Sequence, residues 1–174
     1  MSGCPLEQEE LETLGAALGS DIPFCIRGGT QRARGRGEEM TVLPPAPWLD
    51  LVLVKPRDLG VSTAWVYGEI DRVDRRETAD IDRVERAIRQ GSREALLESM
   101  ANDLEQVTLA RYPRLQALAG ELSRLGAEKV MMSGSGPTLF GIFPDRERAA
   151  GAGAELQENH LDIQIQLAHT VQEE

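Results

Sequence analysis

Lys129-Val-Met-Met132, Ser133-Gly-Ser-Gly-Pro137 and Thr138-Leu-Phe-Gly-Ile-Phe143 decide the fold of this 174-residue chain. Two short apolar runs flank five small residues, which reads as strand, tight turn, strand. On the C-terminal side, residues 145–157 read as a helix that Gly151 and Gly153 weaken. Leu161, Ile163, Ile165 and Leu167 then alternate with Asp162, Gln164 and Gln166, the period of a half-buried strand. On the N-terminal side the pattern is mostly helical. Pro113 opens a helix with Leu115, Leu118, Leu122 and Leu125 on one stripe, closed by Gly126. Asn102, with Glu105 three positions on, has the spacing of a capping box. Ser92 caps a helix that buries Leu96, Leu97 and Met100. Ile81, Val84 and Ile88 share a face of another, stopped by Gly91. Leu49 to Lys55 is a short buried strand. The order β, several helices, β, β, α, β is that of an α+β domain of ferredoxin-like type with an expanded first crossover.

Pro44, Pro45 and Pro47 mark a break, the best candidate for a domain boundary. Residues 46–174 then form one domain, and residues 1–45 a smaller segment. In that segment Leu6, Leu11, Leu14 and Leu18 fall near a 3.6 period, with Pro5 before them and Gly19 after, so a helix is expected. Ile22 to Thr30 reads as a strand running into a Gly28-Gly29 turn. Residues 30–43 read as its partner, interrupted by Gly35 and Gly37.

Composition removes several function classes. Lys and Arg number 19 against 29 Asp and Glu, a formal charge of −10, which argues against nucleic acid as the partner. Forty-one per cent hydrophobic residues suffice for one core and part of a second. No apolar run reaches the ~20 residues of a membrane span, and no signal-peptide h-region follows Met1. Cys4 and Cys25 form no CxxC pair, so free thiols in a reducing cytoplasm are expected, though one disulfide is conceivable. His160 and His169 make no HxxxH pair, and no metal site is expected.

Three segments could carry chemistry. In Ser133-Gly134-Ser135-Gly136-Pro137, glycines at positive φ let successive N–H groups converge on an anion, and hydroxyls add donors. A hairpin turn without a ligand is the competing reading, and no Walker loop is present. Asp21 lies where a helix ends, placed either to accept a proton from a hydroxyl or to bond its own backbone as a turn residue. In Val61-Ser62-Thr63-Ala64-Trp65-Val66-Tyr67, Ser62 or Thr63 can cap a helix, and Trp65 and Tyr67 either stack on a nucleobase or pack in the core. Arg27, Arg32, Arg34 and Arg36 form a basic patch that meets phosphates or, beside Glu38 and Glu39, is a solvated face.

Taken with Gly28-Gly-Thr30, Gly35-Arg-Gly-Glu38 and Asn102-Asp-Leu-Glu105, these segments resemble the GHMP superfamily of small-molecule kinases. Ser20-Asp-Ile-Pro-Phe24 and Asn102-Asp-Leu-Glu105 narrow the likeness to the members that act on 4-diphosphocytidyl-2-C-methyl-D-erythritol in non-mevalonate isoprenoid synthesis. The resemblance implies transfer of the ATP γ-phosphoryl group to the substrate 2-hydroxyl with Mg²⁺ present. It implies Asp21 as the catalytic aspartate, Ser133, Gly134, Ser135 and Gly136 as a phosphate-bracing loop, Tyr67 as a cytosine platform and Thr63 beside it. Asn102 and Glu105 are family markers, read here as caps. Such kinases carry upstream a lysine and a second Gly/Ser-rich loop that cradles ATP at a helix N-terminus. No lysine precedes Lys55. The expectation is therefore a C-terminal portion, with residues 1–45 the edge of an N-terminal domain, weakly active or inactive alone. Exposed strand edges would favour self-association. The alternatives are a non-catalytic cytidine-nucleotide-binding or dimerisation module, another GHMP enzyme, and an incomplete gene model.

Overall fold

The computed structural model describes residues 6–19, 21–35, 37, 39–72 and 79–171. Cys4, Ser20, Arg36 and Glu38 lie outside the described residues, so the pairing of Cys4 with Cys25 and the Arg36 part of the basic patch do too.

Helix α1 (Gln8–Ala16) starts where the Glu10 carboxylate accepts a hydrogen bond from the Glu7 N–H at 3.0 Å. Its expected apolar stripe is not buried throughout, since Leu14 is 56% and Leu18 82% exposed. The next segment corrects the sequence reading. Ile22–Arg27 is not a strand but a short helix, α2. Pro23 sits in its first turn, where a fixed φ suits a helix and no N–H is needed. Ile22 and Ile26, four apart, share the face that meets Gly15 of α1. A Cβ at Gly15 would lie 2.7 Å from Ile22 Cγ2, so the two helices touch through that glycine. Arg27 adds a two-pronged ion pair to Glu12, at 2.8 and 2.6 Å. Tertiary contact with α1 thus outweighs the β-branched composition. The hairpin is drawn wholly from the following residues: β1 (Gln31–Arg34) pairs antiparallel with β2 (Glu39–Val42).

Thr30 fastens the proline-rich connection. Its carbonyl accepts from Leu43 N–H at 2.9 Å and its hydroxyl from Ala46 N–H at 3.0 Å. Arg32 reaches Asp82 and Glu85 at 2.6 and 2.7 Å, tying the hairpin to a later helix.

Beyond the prolines come β3 (Asp50–Pro56), α3 (Thr63–Ile70), α4 (Ile81–Arg89), α5 (Arg93–Ser99), α6 (Glu105–Arg111), α7 (Pro113–Arg124), β4 (Lys129–Met132), β5 (Leu139–Phe143), α8 (Arg146–Asn159) and β6 (Ile163–His169). The four long-range strands form an antiparallel sheet ordered β4-β5-β3-β6. That is the α+β ferredoxin-like order, with α3 to α7 filling the first crossover.

Strand alternation gives the sheet two apolar faces. Val52, Val54, Leu139 and Phe143 pack with Leu115, Leu118 and Leu122 of α7 and Ala152 and Leu156 of α8. Ile142 packs on the other face with Leu49, Ile88, Leu96 and Leu43. Gly153 lies inside α8, which runs unbroken from Arg146 to Asn159. It is buried, and a Cβ there would lie 3.3 Å from Leu167 Cδ2, so the helix lies close on β6. The last strand begins at Ile163; Leu161 precedes it and is 89% exposed. The helix stops fall where the sequence puts them, with Gly91 and Gly126 at φ +63° and +96° and the Ser92 hydroxyl accepting from Ala95 N–H at 3.2 Å.

Candidate active site

The β4–β5 connection is a closed loop. Ser133 N–H donates to Thr138 O at 2.8 Å, and Gly136 N–H to Ser133 O at 3.0 Å. Gly134 and Gly136 have φ of +56° and +87°, which other residues adopt only under strain. Gly136 is also crowded, since a Cβ would come within 2.6 Å of Met132 Sδ. The intervening N–H groups of Gly134 and Ser135 have no partner among the described residues. Two successive unpaired amides in a glycine turn are the arrangement that receives an anion.

Helix α3 brings the second segment to this loop. Ser62 caps it, its hydroxyl accepting from Trp65 N–H at 3.3 Å. That leaves Thr63 at the first helical position, where its Oγ1 lies 2.9 Å from Ser135 Oγ. The hydroxyls of two residues 72 apart in sequence therefore share one hydrogen bond. The two aromatics of the segment diverge. Trp65 packs edge-on against Tyr112, with ring centroids 6.1 Å apart. Tyr67, one helical turn beyond Thr63, is 56% exposed and lines a cleft with Asn102, Met132, Ser133 and Gly134.

Asn102 and Glu105 correct the sequence reading a second time. They do not form a capping box. The N-cap of α6 is Leu104, in helical conformation and with no side-chain cap. Asn102 Nδ2 donates to Met132 O and to Gly134 O, both at 2.8 Å, while its Oδ1 accepts from Leu104 N–H at 3.0 Å. Glu105 Oε1 accepts from Met132 N–H at 2.5 Å. Among the described residues β4 is a sheet edge, so Met132 presents backbone groups with no further strand there to pair them. The two side chains take that place. A spacing of three residues brings two side chains to one face of a turn, and sequence alone does not say whether they bond that turn or a distant strand. Burial pushes the Glu105 carboxyl above its ordinary pKa, against the opposing effects of the Met132 N–H and the Lys129 charge. Thr108, fully buried on α6, donates from Oγ1 to Ser135 O at 3.3 Å.

Residues 84–161, which include α5, α6, α7, the loop and its flanking strands, match the family of GHMP kinases C terminal. This stretch is a GHMP kinase C-terminal domain. The 4-diphosphocytidyl-2-C-methyl-D-erythritol kinase of Moorella thermoacetica is 48% identical over 154 residues, covering 87% of this chain and 54% of the relative. The protein of that name from Synechococcus elongatus is 40% identical over 180 residues, covering 95% and 57%. A crystal structure of 4-(cytidine 5'-diphospho)-2C-methyl-D-erythritol kinase superposes with a TM-score of 0.76 at 26% identity, covering 97% of this chain and 59% of that one. The chain spans about half the length of the curated relatives it matches.

Within this chain the expected site residues divide. Thr63, Tyr67, Ser133, Gly134, Ser135 and Gly136 come together. Asp21 is hydrogen-bonded to none of them among the described residues. It is exposed at the start of α2, and among the described residues its carboxylate makes no hydrogen bond or ion pair, to that group or elsewhere. Two arginines of the basic patch are already held by carboxylates, Arg27 by Glu12 and Arg32 by Asp82 and Glu85. Among the described residues no group of three His, Cys, Asp or Glu is placed to hold a metal ion. No helix is long and apolar enough to cross a membrane.

Proposed function

We propose that this chain supplies the substrate-side half of an ATP-dependent kinase that phosphorylates the 2-hydroxyl of 4-diphosphocytidyl-2-C-methyl-D-erythritol. The observation that carries the reading is the Thr63–Ser135 bond. It joins the cleft beside Tyr67 to the glycine loop, in a chain whose relatives bear that kinase name. In this reading the exposed Tyr67 ring stacks on cytosine. The unpaired Gly134 and Ser135 amides face a phosphate, neutralising charge without a side-chain cation. Those amides fit the phosphates of ATP or of the substrate. ATP with its Mg²⁺ supplies the phosphoryl group, and no step is assigned to a metal ligand of this chain. Asp21 orients the 2-hydroxyl and takes its proton.

The test is phosphoryl transfer followed by ³¹P NMR, with Mg²⁺, ATP and the cytidylyl substrate. The chain is assayed alone and together with the half of the Moorella thermoacetica relative that it does not match. The expected result is transfer to the 2-hydroxyl in the combined reaction, lost in Asp21→Asn. Transfer to homoserine or mevalonate instead, or an unchanged rate in Asp21→Asn, contradicts the reading.

A second reading, a non-catalytic cytidine-nucleotide-binding or dimerisation module, has specific observations in its favour. Among the described residues the Asp21 carboxylate makes no bond to the cleft, and Leu14, Leu18, Phe24 and Val42 expose apolar surface at 56%, 82%, 41% and 55%. Cytidine nucleotide binding with no transfer in either reaction, or a dimer in sedimentation, supports it.

A further inference from the structure

We propose that Asn102 is a positioning residue, one that sets the conformation of the 133–136 loop and, through it, the placement of Ser135 against Thr63. The inference deepens the kinase reading above and rests on it for its functional consequence, though its structural part stands alone.

A carboxamide has two N–H donors and one carbonyl acceptor. All three functions are used here, and they face two different parts of the chain. The acceptor holds Leu104 N–H, which fixes the 102–104 turn before α6. The donors hold Met132 O and Gly134 O. Those carbonyls flank Ser133, one at the end of the edge strand and one inside the loop. A straight strand would point carbonyls two residues apart the same way but about 6–7 Å from each other. One NH₂ group bonds both because the chain curls at Gly134, whose φ is +56°. The amide group and the left-handed glycine therefore specify the same loop shape.

Polarity assigns the two partners of Met132 separately. Its carbonyl needs a donor and receives Asn102. Its N–H needs an acceptor and receives Glu105. Together the side chains pair Met132 as a neighbouring strand would. From there the loop runs to Ser135, whose carbonyl accepts from Thr108 and whose hydroxyl meets Thr63. Releasing Asn102 frees the first anchor of that chain of contacts while leaving the buried core untouched.

Asn102→Asp is the discriminating variant. It keeps the shape and the acceptor for Leu104 N–H, and replaces the donors with an oxygen facing two carbonyl oxygens. Hydrogen exchange followed by NMR reads the loop directly at Ser133 and Gly136, whose amides are bonded within it. Exchange there is expected to quicken tenfold or more, with the core amides of Val52 and Val54 unchanged. Glu105→Gln keeps an acceptor for Met132 N–H and should leave the loop amides protected, whereas Glu105→Leu should not. Cytidine 5'-diphosphate is the binding probe, and Asn102→Asp is expected to weaken it tenfold or more. A merely stabilising role would instead speed exchange at Val52 and Val54 equally and leave the affinity of the folded protein unchanged; that pattern overturns the proposal. In the wild-type chain, scalar couplings across hydrogen bonds from Asn102 Nδ2 to the Met132 and Gly134 carbonyl carbons are expected. Their absence overturns it, and this measurement decides the matter should Asn102→Asp not fold. If the wild-type chain does not bind cytidine 5'-diphosphate, the kinase reading fails while exchange and couplings still decide the role of Asn102.

Discussion

Glu105 holds a half-buried carboxyl against the Met132 N–H, and burial raises its pKa. In the unfolded chain the group returns to its ordinary value, about 4.3. The protonated form therefore favours the fold. The stability it contributes is full below that ordinary value and is lost as pH rises through the raised one. Glu105→Gln lacks this titration and keeps an acceptor. Relative to wild type it should gain stability as pH rises above the ordinary carboxyl value, measured as urea midpoints over a series of pH values. A gain on acidification instead reverses the sign and contradicts the burial of this group. Gly136→Ala tests the loop itself. A left-handed φ of +87° and a Cβ 2.6 Å from Met132 Sδ should together cost about 1–3 kcal/mol in denaturant unfolding. A neutral substitution would mean that the loop relaxes freely. The glycines were legible as a turn from sequence, because their special conformation is local. The partners of Asn102 and Glu105 were not, because the same spacing serves a cap and a distant strand.

Helices that carry their own start and stop signals were read closely. Ser92 caps α5, Gly91 and Gly126 follow α4 and α7, and Leu115, Leu118 and Leu122 are the buried stripe of α7. β4 also begins and ends where its apolar run does. Ile22–Arg27 failed because six residues rich in β-branched and aromatic side chains lack a period of their own, and packing on α1 decides them. Gly15 is where that packing is tightest. Gly15→Val should push α2 off α1, since even a Cβ would meet Ile22 at 2.7 Å and Ile26 at 3.0 Å. Limited proteolysis should then cut within residues 6–30 at least several-fold faster, with the sheet region resistant. Equal cleavage rates would show that α2 is held by something other than this contact.

The whole molecule gathers its candidate site beside one edge of its sheet. α7 and α8 cover one face, α4 and α5 pack toward the other, and the β4 edge carries the glycine loop beside α3. Its topology was legible because strand and helix order survive small errors in boundaries. What sequence could not supply was the meeting of Thr63 with Ser135, since that depends on how α3 sits against the β4–β5 loop. The net charge of −10 gives a diphosphate no general attraction. In the proposed reading, binding comes from the loop amides and from stacking, and base stacking on one aromatic ring is worth about 1–3 kcal/mol. The most direct measurement is a titration of the isotope-labelled chain with cytidine 5'-diphosphate, followed by amide shifts in wild type and Tyr67→Ala. The expected result is saturable shifts at Thr63, Tyr67 and residues 133–136, with affinity reduced about tenfold or more in the variant. Shifts elsewhere, or equal affinity without the Tyr67 ring, would contradict the claim that these residues form one cytidylyl-binding surface.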